Sequence, residues 1–247
     1  MEIDINKLQE LIDGSDNIVF FGGAGVSTES GIKDFRSVDG LYHMKFKYPP
    51  ETMLSHSFYV THKEEFFDFY KDKLLECTCG ADPAKPNAAH LALAKLEEVG
   101  KLKAVITQNI DGLHQAAGSK TVYELHGSVL RNYCESCGKS FEGSYLYKAD
   151  GVPKCDKCGG DIKPDVVLYE EGLDNTIMTN AVRAIAEADM LIIGGTSLVV
   201  YPAAGLIDYY RGKKLVLINY DATARDSVAD YSIHGKIGEI FSQLKIG

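Results

Sequence analysis

The sequence predicts an α/β fold, a doubly wound parallel sheet with one small insert, and three observations predict it. Short apolar runs recur along the 247 residues and suit strands that are buried on both faces of a parallel sheet. Helical stretches lie between these runs, and alternation of strand with helix is typical of a doubly wound sheet. Two regions interrupt the alternation: an aromatic stretch at residues 37–80, and a stretch rich in Cys, Gly, Lys and Ser from about residue 131 to 161, which is the predicted insert.

The predicted elements follow one another in chain order. An amphipathic helix covers residues 1–13, with its apolar side chains on one side. Five strands are predicted at Asn17–Phe21, Leu102–Thr107, Thr121–His126, Met190–Ile193 and Lys214–Asn219. Further helices are predicted at Asn87–Val99, Asn175–Ala188 and Pro202–Arg211, the last with proline in its first turn.

The domain organisation follows from these elements. We expect one large unit from residues 1–130 and 162–247, with the insert at 131–161 as a separate small module. Residues 37–80 are aromatic and partly helical. We expect them to form a lid or a second layer that belongs with the small module.

Composition and charge exclude several classes of partner. The formal net charge is -9 and the pI about 5.3, and Lys and Arg do not cluster, so we expect no nucleic-acid partner. The longest apolar stretches, near residues 18–25 and 190–200, are shorter than the roughly 20 residues of a membrane span. The N-terminus lacks the basic and apolar regions of a signal peptide, so we expect a cytoplasmic protein without a membrane partner.

Four of the six cysteines form two CxxC pairs, Cys134 with Cys137 and Cys155 with Cys158, and 17 residues separate the pairs. This spacing is typical of a zinc ribbon, in which four thiolates surround one tetrahedral ion. Because four thiolates fill the coordination shell, the metal is expected to be structural. Four unrelated cysteines or a redox pair are the competing interpretation, and the remaining Cys77 and Cys79 receive no role.

A glycine-rich turn, residues 21–28, follows the first predicted strand. Such a turn lets backbone N–H groups approach a pyrophosphate, which the N-terminus of a following helix also favours. The motif is not a complete GxGxxG, because Thr28 stands at the third glycine's place, and a plain tight turn explains it equally well. Just beyond it, Asp34, Phe35 and Arg36 either face a nucleotide or form an ordinary loop.

Polar residues follow the other predicted strands. Asn109 and Asp111 either hold a ribose and an amide or form an Asx turn that caps the next helix. His126 ends the third strand and is a candidate general base, although a lone histidine is more often structural. Four more residues at strand ends suit phosphate and ribose contacts or simple turns: Thr196, Ser197, Asn219 and Asp221.

Taken together and in chain order, these motifs resemble the sirtuins, the NAD-dependent protein deacylases. The resemblance covers nearly the whole chain. The matching segments are Gly-Ala-Gly-Val-Ser-Thr-Glu-Ser-Gly-Ile (23–32), Asp-Phe-Arg (34–36), Lys-Pro-Asn-Ala-Ala-His (85–90), Thr-Gln-Asn-Ile-Asp-Gly-Leu-His (107–114), Glu-Leu-His-Gly (124–127), the two CxxC pairs, Lys-Pro-Asp-Val-Val (163–167), Gly-Thr-Ser (195–197) and Leu-Ile-Asn (217–219).

The resemblance implies a Rossmann-like NAD-binding domain with an inserted zinc-ribbon domain, and a cleft between them where NAD meets an acyl-lysine protein or peptide. In sirtuins the acyl oxygen attacks the ribose carbon that bears nicotinamide, and a histidine deprotonates a ribose hydroxyl. His126 matches that histidine, and the chemistry also needs Asn109 and Asp111. The implied activity is NAD-dependent deacetylation of protein lysine, giving nicotinamide and O-acetyl-ADP-ribose. A protein mono-ADP-ribosyltransferase and a non-catalytic NAD-binding interaction module are the alternatives.

The resemblance also assigns binding residues. The NAD contacts that it implies are Ala24, Thr28, Phe35, Arg36, Gln108, Asn109, Ile110, Asp111, Thr196, Ser197, Asn219, Asp221 and Ile237. Val166, Val167 and Leu168 are expected to pair with the substrate peptide as an added strand. The Tyr-x-x-Arg signature of members that remove succinyl or malonyl groups is not met at residues 70–73. An acetyl or another uncharged acyl group is therefore expected, with an acidic acyl group as the alternative that the Tyr-x-x-Lys at this place leaves open.

Overall fold

Two β-sheets organise the part of the chain, residues 4–34, 40 and 46–247, that this computed structural model describes. The strands are β1 (Ile18–Gly22), β2 (Leu102–Thr107), β3 (Val122–Glu124), β4 (Gly127–Cys134), β5 (Ser140–Glu142), β6 (Ile162–Val166), β7 (Met190–Gly194), β8 (Leu215–Asn219) and β9 (Tyr231–His234). The helices are α1 (Ile5–Asp13), α2 (Pro50–Met53), α3 (His56–Thr61), α4 (Lys63–Tyr70), α5 (Glu76–Cys79), α6 (Ala88–Glu98), α7 (Leu113–Ala116), α8 (Gly143–Lys148), α9 (Asn175–Glu187) and α10 (Ile237–Phe241).

The main sheet has the strand order β3-β2-β1-β7-β8-β9, and every neighbouring pair is parallel. Numbered along the chain, these six strands run 3-2-1-4-5-6, which is the order of a Rossmann dinucleotide-binding sheet. The predicted α/β fold is thus confirmed. The strand order reverses between β1 and β7, and ligands of open α/β sheets bind in the crevice beyond the strand ends at such a reversal.

Both faces of the main sheet are covered, as the continuous apolar runs predict. Successive side chains of β1 point to opposite faces, so Phe20 packs with α1, α6 and α10, whereas Phe21 packs with α9. Two of the helices on this sheet begin at side-chain caps: Asp4 accepts from the Lys7 N–H at α1, and Asn87 caps α6.

The predicted helix at Pro202–Arg211 is of another type. Residues Ala203–Tyr209 form a 3₁₀ helix instead of an α-helix, and Gly205, its third residue, lowers the helix propensity there. The segment after the first glycine residues forms two short 3₁₀ turns, Ala24–Val26 and Thr28–Ser30. Gly31 ends the second turn because its φ of 85° leaves the right-handed helical region.

The second sheet is antiparallel, in the order β5-β4-β6. Its hydrophobic core contains Leu146 and Ile162 together with aromatic side chains of α4, including Phe66, Phe67 and Tyr70. The described helices of segment 37–80 therefore pack in one core with the second sheet, whose strands flank the two CxxC pairs. No helix in the described part of the chain is long and apolar enough to cross a membrane.

Two buried histidines lie between the main sheet and its helices. His90 of α6 and His114 of α7 have ring centroids 4.7 Å apart. Among the residues that the structure describes, neither nitrogen of His114 has a hydrogen-bond partner, nor does Nε2 of His90. Burial lowers the pKa of His90 to about 4 and that of His114 to about 3, so both rings are neutral in the folded protein.

We predict that these histidines make the protein less stable in acid. Below pH 6.5 the unfolded chain protonates both rings while the folded chain leaves them neutral, so their contribution to stability is full above pH 6.5 and falls as the pH drops toward 4. His114→Leu should reduce the loss in free energy of unfolding between pH 7 and pH 5, measured by urea denaturation. Parallel pH profiles for the variant and the wild type would contradict the prediction.

Candidate active site and metal centre

The crevice at the strand reversal is formed by two glycine turns in direct backbone contact. The Gly25 N–H donates to the Gly195 carbonyl at 2.8 Å, and the Gly23 N–H donates to the Gly194 carbonyl at 3.2 Å. A Cβ on Gly25 would lie 2.8 Å from the Gly195 Cα. Gly195 has a φ of 59°, and a Cβ there would overlap the backbone of the first turn. We call this paired backbone of the two turns the backbone cradle; it lies at the strand reversal, where a pyrophosphate is expected in a sheet of this order.

A hydrogen-bonded chain of three side chains lies beside this cradle. The Ser27 hydroxyl donates to Asp111 Oδ2 at 2.7 Å, and Asn109 Nδ2 donates to Ser27 Oγ at 3.0 Å. The other Asp111 oxygen accepts from the Leu113 N–H at 2.9 Å, so Asp111 also caps α7 as an Asx turn does. The two interpretations of this motif from sequence are therefore compatible.

Ser27 is a site residue that sequence reasoning missed. It is 1% exposed and joins Asn109 to Asp111, although it comes from the turn after β1 and they come from the loop after β2. The sequence signal was a hydroxyl residue within the glycine-rich turn. Only the fold shows that the turn faces the loop after β2.

A second polar group joins the ends of β2, β7 and β8. Gln108 Nε2 donates to Thr196 Oγ1 at 3.0 Å. The Thr196 N–H donates to Asn219 Oδ1 at 2.9 Å, and Asn219 Nδ2 returns a bond to the Thr196 carbonyl at 3.1 Å. Ser197 and Asp221, next to this group, are exposed. The structure thus brings these predicted residues to one edge of the main sheet.

His126 lies between β3 and β4, where the main sheet meets the second sheet. Its Nδ1 is 2.9 Å from the Gln108 carbonyl oxygen. A carbonyl can only accept, so Nδ1 carries the proton and Nε2 is left with a free lone pair. Burial lowers the pKa of His126, which outweighs the opposite effect of the bond to Gln108. The ring is therefore a neutral base near pH 7.

The remaining predicted NAD contacts differ in exposure. Ala24 and Ile110 are half-buried, and Thr28 is exposed. Ile237 is buried and belongs to the core below the sheet, so only its backbone can face a ligand. Two predicted contacts lie outside the described residues: Phe35 and Arg36.

The predicted peptide-binding segment runs beside His126. Val166, the last residue of β6, pairs with Gly127, and the Val167 N–H donates to the His126 carbonyl at 3.0 Å. Leu168 is fixed by Glu171, whose Oε2 accepts from the Leu168 N–H at 2.9 Å. The segment is therefore extended and held at both ends.

The four CxxC cysteines form one cluster whose Sγ atoms all lie within 4.8 Å of one another. Sγ of Cys134 is 3.4 Å from that of Cys158, and Sγ of Cys137 is 3.7 Å from that of Cys155. Four sulfurs at 2.3 Å from a tetrahedral zinc ion would be about 3.8 Å apart. The cluster therefore fits a structural zinc site.

The two cysteine loops have the same backbone structure. In each loop a glycine after the second cysteine, Gly138 or Gly159, has a left-handed φ, 69° and 73° respectively. Its N–H donates to the carbonyl of the first cysteine, Cys134 or Cys155, at 2.9 and 2.8 Å. Two matching loops that face each other favour one shared ion over separate redox pairs.

The fold and the site together define a class: a Rossmann-like dinucleotide-binding protein with a four-thiolate metal module. Residues 23–202 match the model of the Sir2 family, and the chain belongs to that family. It is 63% identical over 243 residues to an NAD-dependent protein deacetylase of Clostridium acetobutylicum, with 97% of each chain covered.

Solved structures agree with the family. A Sir2 homologue in complex with NAD superposes with a TM-score of 0.86 at 41% identity, over 98% of this chain and 92% of the other. A Sir2 variant with a deacetylated p53 peptide and 3′-O-acetyl ADP ribose has a TM-score of 0.87 at 39% identity, over 97% and 96% of the two chains.

We predict that Cys155→Ser removes the metal, because Cys155 is a buried member of the cluster and a hydroxyl replaces a thiolate ligand poorly. Elemental analysis of the purified protein should find one zinc ion per chain in the wild type and much less in the variant. Cys77→Ser is the matched control, since Cys77 lies outside the cluster. Full zinc content in Cys155→Ser would rule out the shared site.

Proposed function

We propose that this chain is an NAD-dependent protein-lysine deacetylase that yields nicotinamide, O-acetyl-ADP-ribose and the free lysine. The geometry of His126 supports this proposal most directly. A half-buried, neutral imidazole whose Nδ1 is fixed by a hydrogen bond and whose Nε2 is unprotonated is suited to accept a proton. The deacetylase names of the relatives support the same activity.

The proposed roles of the binding residues follow from their positions. Bound NAD would supply a ribose carbon that becomes electrophilic as nicotinamide leaves. Gly25 and Gly195 would let the backbone approach the pyrophosphate, together with Ala24 and Thr28 on the first turn. The adenosine half would lie along the other end of the crevice, near these residues: Thr196, Ser197, Asn219, Asp221 and the backbone of Ile237.

The proposed catalytic residues act at the nicotinamide end. Asn109 and Asp111, held together through Ser27, would orient the ribose and the carboxamide, with Gln108 and Ile110 beside them. Nε2 of His126 would then take a proton from a ribose hydroxyl. Because its pKa is lowered, this base stays neutral below pH 6.5, so the acid limb of activity should lie below that pH.

We propose that the substrate is an acetyl-lysine segment of a protein. Val166, Val167 and Leu168 would pair with it as an extended strand next to His126. Phe35 and Arg36 would complete the NAD site.

We also infer that the active protein is cytoplasmic, because its four metal-binding thiolates need a reducing compartment.

The domain division that we propose places the cleft between two parts, 1–130 with 162–247 and the small module 131–161. The separate cores of the two sheets support a division into two parts, and so do the described helices of segment 37–80, which pack in the core of the second sheet. The second sheet itself runs from Gly127 to Val166, so its strands extend beyond the expected bounds 131–161 on both sides. His126 lies close to this boundary. Neither the ADP-ribosyltransferase nor the binding-module alternative is favoured by the site or by the relatives.

The proposal predicts that His126→Ala abolishes deacetylation and leaves NAD binding largely intact, because the ring is a base and not a main binding group. Mass spectrometry of an acetyl-lysine peptide with and without NAD would follow the deacetylated peptide, nicotinamide and O-acetyl-ADP-ribose together. His62→Ala, which removes an exposed histidine, is the control.

In the wild type and the control, one nicotinamide should form for each peptide deacetylated, and only with NAD. Consumption of NAD with labelling of protein in place of deacetylation would instead identify a transferase. Intact NAD under all conditions would contradict any catalytic function. Normal turnover of His126→Ala would contradict the assignment of the base.

A further inference from the structure

Arg131 of β4 joins two carboxylates that belong to different sheets. Its Nη1 donates to Glu124 Oε2 at 2.6 Å, and its Nε donates to Asp165 Oδ2 at 2.9 Å. Glu124 is the last residue of β3 in the main sheet, and Asp165 lies on β6 in the second sheet. One guanidinium thus connects the two sheets.

The two carboxylates lie on either side of the segment that carries His126. Glu124 precedes His126 by two residues. On the other side, Gly127 is packed so tightly on β6 that a Cβ there would overlap the Asp165 carbonyl oxygen. The Val167 N–H also binds the His126 carbonyl at 3.0 Å. His126 therefore lies between the two places, Glu124 on β3 and Asp165 on β6, at which Arg131 binds.

Glu124 depends on Arg131 more than Asp165 does. Glu124 is 6% exposed, and its other oxygen, Oε1, has no hydrogen-bond partner in the described part of the chain. A buried carboxylate without a cation is strongly disfavoured, so it either takes up a proton or moves toward water. The Asp165 carboxylate is 39% exposed, and water can replace its partner.

A shift of Glu124 would be transmitted to the imidazole. Leu125, between Glu124 and His126, is bound to β2 through its N–H and the Thr107 carbonyl at 2.9 Å. The ring of His126 is bound to the carbonyl of Gln108, the residue that follows Thr107 at the end of β2. Movement at the end of β3 would lengthen the bond that fixes the proton on Nδ1, and the free lone pair of Nε2 would lose its direction.

We propose that Arg131 is a positioning residue for His126, acting through Glu124 at the junction of the two sheets. This inference rests on the proposed deacetylase function for its kinetic consequence. The planar guanidinium reaches both carboxylates at once from two nitrogens, whereas a lysine at this position offers one. Arg131→Lys should therefore retain the charge and only part of the effect.

The experiment compares Arg131→Met and Arg131→Lys with Arg183→Met, a control on α9 whose guanidinium makes one bond to Asn180 at 3.2 Å on an exposed face. Steady-state kinetics would give kcat for deacetylation and KM for NAD. Separately, NMR of the imidazole nitrogens would report the tautomer of His126 in the free protein. Thermal unfolding would confirm that each variant is folded at the assay temperature.

Arg131→Met should lower kcat by about tenfold, part of the 10²–10⁴-fold that a general base contributes, with little change in KM for NAD. Its His126 nitrogen signals should show loss of the single Nδ1-protonated tautomer. Arg131→Lys should fall between this variant and the wild type, and Arg183→Met should match the wild type.

A folded Arg131→Met with wild-type kcat and unchanged His126 signals would overturn the inference. The inference would also be overturned if Arg131→Met and Arg131→Lys lost activity equally and the His126 nitrogen signals did not change. That pattern indicates a purely structural role. If the wild type itself shows no NAD-dependent deacetylation, the proposed function fails, and the NMR comparison still decides whether Arg131 orients His126.

Discussion

The contact between the glycine turns at the ends of β1 and β7 is the constraint on which the site depends. The backbones of Gly25 and Gly195 approach so closely that a hydrogen bond of 2.8 Å joins them and side chains are excluded from both. This contact closes the floor of the crevice at the strand reversal. It also determines where the first turn ends, and therefore where Ser27 meets the loop after β2. Without the contact between the glycine turns, the polar residues would still lie at the same edge of the main sheet, but they would not form one site.

The second requirement is a rigid junction between the two sheets, because the proposed base belongs to neither. His126 is held by a backbone bond to β6 through Val167 and by a ring bond to the loop after β2 through Gln108. The small sheet is in turn stabilised by an aromatic core and by a cysteine cluster that fits zinc. Metal binding and folding are coupled in such small modules. A metal ion bound at this cluster would stabilise the small sheet and so help to hold His126, which lies outside the cluster.

Much of this structure could be predicted from sequence, since continuous apolar runs such as Met190–Ile193 can only be buried strands or core helices and their length decides between the two.

Strand β9 was missed because Tyr231–His234 is short and lies at the sheet edge, where one residue of four is buried. The type of helix at residues 203–209 was predicted wrongly, because proline in a first turn indicates where a helix starts but not whether it is an α-helix or a 3₁₀ helix. Ser27 was missed because its partners are 82 and 84 residues away in the chain. Contacts of that kind depend on topology, which local pattern does not encode.

If the backbone cradle at the strand reversal holds the nucleotide, a methyl group placed in it should weaken the binding of ADP-ribose, which calorimetric titration measures. Gly195→Ala adds a methyl group where the φ of 59° and the adjacent backbone leave no space, whereas Gly172→Ala adds one in open surroundings. Alanine in a left-handed conformation costs about 1–2 kcal/mol before any overlap, so we predict at least tenfold weaker binding for Gly195→Ala in a folded protein and wild-type binding for Gly172→Ala. Equal affinity in both variants would show that the cradle does not hold the nucleotide.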